Sequence, residues 1–112
     1  MSHRSSVEVL TKEEVLAIQS EVRKRDKGRC LICGQTGGQV HEILQKGNAA
    51  RRAARTYQVK YMACVCNEHH ILGIHSGGKA VKVALTARLL KVLKQRYNYD
   101  YPERLERWLD KH

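Results

Sequence analysis

The sequence predicts a small α+β domain, with two short strands set between an N-terminal helix and two C-terminal helices and a metal ion as staple. Three observations predict it. Helical periodicity marks both ends of the chain, two short apolar runs lie in the middle, and a Cys-x-x-Cys knuckle is answered by a second Cys/His pair. The 112 residues suit one domain over 1–112, with 1–10 as a tail, a metal-stapled core over about 25–75, and helices over 79–112. Phe is absent and Trp occurs once, so the core must come from Leu, Val, Ile and Ala, and a metal staple would help a core this modest.

The first helix is announced by Thr11-Lys12-Glu13-Glu14, a capping box, with Leu10 and Val15 placed as a hydrophobic staple. Val15, Ile18 and Val22 recur on one face, and Lys27-Gly28 ends the helix near Asp26. Gln39–Leu44 and Lys60–Val65 read as strands. Asn67–Ile74 reads as a short helix. Between the strands, Gln45–Val59 is basic and Ala-rich, a loop with one or two helical turns around Ala49–Arg55. Val81, Leu85, Leu89, Val92 and Leu93 mark an amphipathic helix over Lys79–Tyr97. Pro102 suits the first turn of a last helix whose apolar face is Leu105, Trp108 and Leu109.

Charge is concentrated. Between Glu42 and Asp100 the only acid is Glu68, set against eleven Lys/Arg, so this stretch carries the whole net charge of +10. A block of one sign attracts polyanions, which points to nucleic acid. Arg51, Arg52 and Arg55, bracketed by Lys46 and Lys60, are the candidate phosphate contacts. No apolar run is long enough to span a membrane, and the N-terminus lacks a signal-like stretch. The expected setting is therefore the reducing cytoplasm, where close-spaced cysteines act as metal ligands before they act as disulfides.

Cys30-Leu31-Ile32-Cys33-Gly34 can bring two thiolates to one zinc ion, with Gly34 permitting the tight turn behind them. Cys66 and His69 complete the tetrahedron at the same spacing. The rival second pair is Cys64 with Cys66; with Cys66 and His69 as the ligands, Cys64 is left as a small buried residue. His41-Glu42, His70 and His75 remain. A strand, a second strand and a helix would gather them in one pocket, and imidazole with carboxylate suits a divalent ion able to support phosphodiester hydrolysis.

From Arg25 to His75 the chain resembles the HNH (ββα-metal) endonuclease family, in the zinc-knuckle form common among small phage-type proteins. The likeness lies in the ordered set Cys30-x-x-Cys33-Gly34, Val40-His41-Glu42-Ile43 and Cys66-Asn67-Glu68-His69-His70. It implies a β-hairpin and helix clamped on one Mg²⁺ or Mn²⁺ ion, with zinc as an external staple. Aligned on Ile43, His41 is a metal ligand and Glu42 stands where the base His usually stands. Shifted by one residue, His41 is itself the base. His70 matches the later metal-binding His, and His75 resembles a further His at a spacing one residue longer than usual. The family's middle Asn, which buttresses the hairpin, would fall near Tyr61, and this chain has Tyr there in its place.

The expected function is thus a metal-dependent endonuclease or nickase acting on double-stranded or branched DNA. The alternatives are a zinc-stapled DNA-binding module without cleavage and a zinc-organised protein-interaction domain. If the protein is phage-encoded, the site of action is the host cytoplasm. A homodimer through the Leu-rich face of the Lys79–Tyr97 helix is the expected oligomer.

Overall fold

A computed structural model describes residues 9–43 and 58–112, apart from the Leu72 side chain. The candidate phosphate contacts Lys46, Arg51, Arg52 and Arg55 lie outside the described residues, as does most of the tail. The order is α1 (Lys12–Asp26), β1 (Gln39–Glu42), a 3-10 turn (Val59–Tyr61), β2 (Met62–Val65), a π-helix (Glu68–His75), α2 (Lys79–Tyr97) and α3 (Glu103–Asp110). The fold is α+β, as the sequence predicts.

Helix α1 begins with the expected reciprocal cap. The Glu14 amide donates to Thr11 Oγ1 (3.2 Å), and the Thr11 amide donates to Glu14 Oε1 (3.0 Å). It ends at Lys27, which adopts a left-handed conformation at φ 57°, while the Gly28 amide reaches back to the Arg23 carbonyl. Val22 is fully buried, with Leu10, Val15 and Ile18 packed beside it.

Strands β1 and β2 pair antiparallel, with Gln39 opposite Val65 and His41 opposite Ala63. Side chains alternate across a sheet. Met62 and Cys64 therefore pack with Val22 of α1, while Ala63 and Val65 pack with Cys30, Leu31, Ile32, Ile74, Leu89 and Leu93. The hairpin is covered on both faces. Residues 60 and 61, expected in the second strand, form part of the 3-10 turn instead, and β1 stops at Glu42.

Two helices differ from expectation. The segment after β2 is a π-helix over Glu68–His75. Helix α2 has the predicted limits, but its buried positions are Ala87, Leu89, Leu90 and Leu93, with Val81 exposed. The reason is two-sided packing. Leu89 and Leu93 join the hairpin core, while Ala87 and Leu90 join Tyr61, Tyr101 and Leu109 under α3. The leucines expected to form a homodimer face are thus covered by the chain itself. Pro102 caps α3 rather than entering its first turn.

One buried polar group ties these parts together. Asp26 accepts from Arg25 Nε (2.8 Å) and Nη2 (2.9 Å), from the Tyr97 hydroxyl (2.9 Å) and from the Cys64 amide (2.9 Å). Arg25 also donates to the Met62 carbonyl and to the Tyr99 hydroxyl, so α1, β2 and the end of α2 meet at one ion pair.

Candidate metal centres

The knuckle is a tight turn. The Gly34 amide donates to the Cys30 carbonyl (2.8 Å), the Cys30 amide donates to the Gln35 carbonyl (2.8 Å), and Gly34 takes φ 78°, a conformation suited to glycine. The Leu31 amide donates to the Cys64 carbonyl, which docks the knuckle on β2 (3.0 Å). Gly37 approaches the same strand so closely that a Cβ there would lie 2.6 Å from the Cys66 nitrogen.

This docking brings Cys30, Cys33, Cys66 and His69 together, each offering a ligand atom within 4.8 Å of the others. Cys33 Sγ lies 3.8 Å from Cys66 Sγ, and His69 Nδ1 lies 3.8 Å from Cys30 Sγ and 3.2 Å from Cys66 Sγ. A tetrahedral ion with metal–sulfur bonds of about 2.3 Å and metal–nitrogen bonds of about 2.0 Å needs separations of about 3.8 and 3.5 Å. The four donors fit such an ion. Burial opposes ionisation of Cys30, but amide hydrogen bonds from Cys33, Cys66 and Ile32 outweigh it and hold the thiol down at about 7. Cys64 is buried away from this group, at the Val22 carbonyl. Burial and the Asp26 charge push its thiol up to about 11, which suits an inert core residue.

The second group is His41, His70 and His75, again with ligand atoms within 4.8 Å of one another. His41 stands on the hairpin face that the π-helix covers. Its ring centroid is 5.1 Å from that of His70 and 5.6 Å from that of His75. His70 Nε2 and His75 Nε2 are 3.0 Å apart. Two imidazole nitrogens on one ion at about 2.1 Å stand roughly 2.9–3.4 Å apart, between octahedral and tetrahedral angles, so this pair also fits a shared ion.

The π-helix explains how His75 arrives. In an α-helix, a residue five positions on sits about 140° around the axis. Hydrogen bonding from i to i+5 brings it back over the starting residue. The extra residue between His70 and His75 is absorbed by the wider turn.

Glu42 is not among the three converging groups. It follows His41 on a regular strand, so alternation sends it to the face shared with Val40 and α1. Of the two residues proposed from sequence as the base, only His41 stands in the cluster. Lys60 is held elsewhere, donating to the Asp100 carbonyl (3.2 Å) with its ammonium over the Tyr61 ring.

Burial drives the His41 pKa down to about 4, and the charges of His70, His75 and Lys82 act in the same direction. His70 is lowered by burial and then by His75. Both imidazoles are therefore neutral near neutral pH, the state a metal ligand requires. Sequence reasoning missed Gln39 and Asn67, which surround His70. Gln39 Oε1 lies 2.8 Å from His70 Nδ1, and Gln39 Nε2 donates to Asn67 Oδ1 (3.4 Å).

Among the described residues no helix is long and apolar enough to cross a membrane. Comparison with protein-family models, with curated proteins and with solved structures finds no match.

Proposed function

We propose that this chain is a metal-dependent DNA endonuclease, with zinc in the Cys30/Cys33/Cys66/His69 centre and a second divalent ion at His41, His70 and His75. The observation that carries the reading is the convergence of those three imidazoles on a hairpin and helix already anchored by a separate thiolate-rich centre. Three thiolates and one imidazole suit zinc, and a closed four-donor set is a structural site with no position left for substrate. A three-donor site leaves positions open, and a divalent ion there supplies Lewis-acid stabilisation of a phosphodiester and a more acidic bound water.

The chain's own residues support that chemistry. His41, His70 and His75 bring ring nitrogens within 4.8 Å of one another, and Lys82 sets a positive charge near His41. Lys79, three residues before Lys82 on α2, is exposed and lies within the stretch that carries the net charge of +10. A phosphate backbone would be drawn to this side by charge, without sequence reading. An all-imidazole set also favours Ni²⁺ or Zn²⁺ over Mg²⁺ and Mn²⁺, which prefer oxygen ligands.

Supercoiled-plasmid nicking with each of these four ions tests the reading. The expected result is open-circular product from the wild type and a loss of at least 100-fold in His70→Ala and His75→Ala. If no ion supports cleavage but the protein binds DNA with steep salt dependence, the chain is a zinc-stapled binding module instead.

A further inference from the structure

We propose that Gln39 is the positioning residue of the three-histidine site, fixing the tautomer of His70 so that its Nε2 carries the lone pair. The inference rests on the reading of that site as a metal centre. Gln39 opens β1 opposite Val65, two residues before His41, and so stands on the same face of the hairpin. Its amide oxygen lies 2.8 Å from His70 Nδ1. An amide oxygen only accepts, so His70 donates Nδ1–H. A neutral imidazole has a single N–H, which leaves Nε2 unprotonated. That atom faces His75 Nε2 at 3.0 Å, the point where the ligand atoms meet.

The amide orientation is supported by a second contact. Gln39 Nε2 donates to Asn67 Oδ1 at 3.4 Å, and Asn67 follows the Cys66 ligand directly. A flip of Gln39 alone would set NH₂ against His70 Nδ1 and a carbonyl against Asn67 Oδ1, losing one hydrogen bond and opposing two oxygens, so the opposite tautomer requires both amides to turn together. The acceptor on His70 is thereby tied to the frame of the Cys3His centre. Partners of this kind, holding the far nitrogen of a ligating histidine, are typically worth 10–100-fold in metal affinity. Gln39 and His70 are not fully buried, so water can partly replace the lost acceptor.

Cobalt titration by calorimetry, with the Cys3His centre already loaded with zinc, tests this in three proteins: wild type, Gln39→Leu and Gln39→Glu. Ring ¹⁵N NMR of His70 before cobalt is added reports the tautomer. The wild type is expected to bind one further Co²⁺ and to show Nδ1–H. Gln39→Leu is expected to bind that ion 10–100-fold more weakly and to gain the Nε2–H form. Gln39→Glu keeps an acceptor and recovers or exceeds wild-type affinity. Wild-type affinity and an unchanged tautomer in Gln39→Leu would overturn the assignment alone. A wild type that takes up no further Co²⁺ would overturn the metal reading and the assignment with it.

Discussion

Replacing Asp26 with Ala should cost this fold about 4 kcal/mol. The Asp26 side chain is fully buried and that of Arg25 is 10% exposed, so the pair has little water to fall back on. Without Asp26, Arg25 keeps, among the described residues, the Val59 and Met62 carbonyls and the Tyr99 hydroxyl, all neutral acceptors, and stays charged. Burial works against the Arg25 charge, and the hydrogen bonds to Asp26 and Tyr99 more than offset it, leaving its pKa raised. Removing one partner of such a pair typically costs about 3–5 kcal/mol, because the other is stranded. The Cys64 amide and the Tyr97 hydroxyl lose their acceptor in the same step, a cost that overlaps the first rather than adding to it in full.

Urea unfolding followed by circular dichroism reads the effect. With a slope of about 1.5 kcal/mol per M for a domain this small, the midpoint should fall by roughly 2–3 M. The double variant Arg25→Met/Asp26→Leu removes the stranded charge and should be more stable than Asp26→Ala. A loss below about 1 kcal/mol in Asp26→Ala, or a double variant no better than the single, would refute the account of a stranded buried charge.

Two further outcomes follow from close geometry and from titration. Gly37→Ala should weaken the ion at the Cys3His centre at least tenfold in chelator competition, because the new Cβ meets the Cys66 backbone, which cannot swing aside as a side chain would. Gly38→Ala, with open space around its Cβ, should bind like the wild type. The protein without an ion at the histidine site should lose stability as pH falls from about 6.5 to 4. The unfolded His41 takes up a proton near 6.5 and the folded one only near 4, so acid favours the unfolded chain by up to about 3 kcal/mol. Urea midpoints across that range should slope less steeply in His41→Gln than in the wild type; equal slopes would remove His41 from the account.

Much of the frame was legible in the sequence because it is encoded locally. The Thr11–Glu14 cap, the Lys27-Gly28 stop and the Cys30–Gly34 knuckle each need only a few consecutive residues. The four Cys/His donors also followed from the shared spacing of the two pairs, and Cys64 stays apart from them because β2 ends at Val65 and Cys66 turns off the face that Cys64 shares with Met62. Strand alternation separates Glu42 from His41, so that outcome was available from sequence too. Other features depend on contacts between distant residues. Leu90 and Ala87 are buried because α3 folds back over a second side of α2, which widens the buried arc beyond one stripe. Gly37 matters through a strand almost thirty positions away. Asp26 read only as the end of a helix, because its partners Cys64 and Tyr97 come from other elements. The π-helix has no local marker; the one clue was the extra residue between His70 and His75.

His69 and His70 are neighbours in the chain, yet one turns to the thiolates and the other to the second imidazole cluster. A single peptide bond therefore joins two ion sites, and that imposes a hierarchy of assembly. An ion gripped by Cys66 and His69 would brace the first turn of the π-helix, from which His70 and His75 approach His41. Filling the thiolate site would then pre-form the approach of the imidazoles, and the supply of a thiolate-loving metal would set how much of the protein has its three imidazoles gathered.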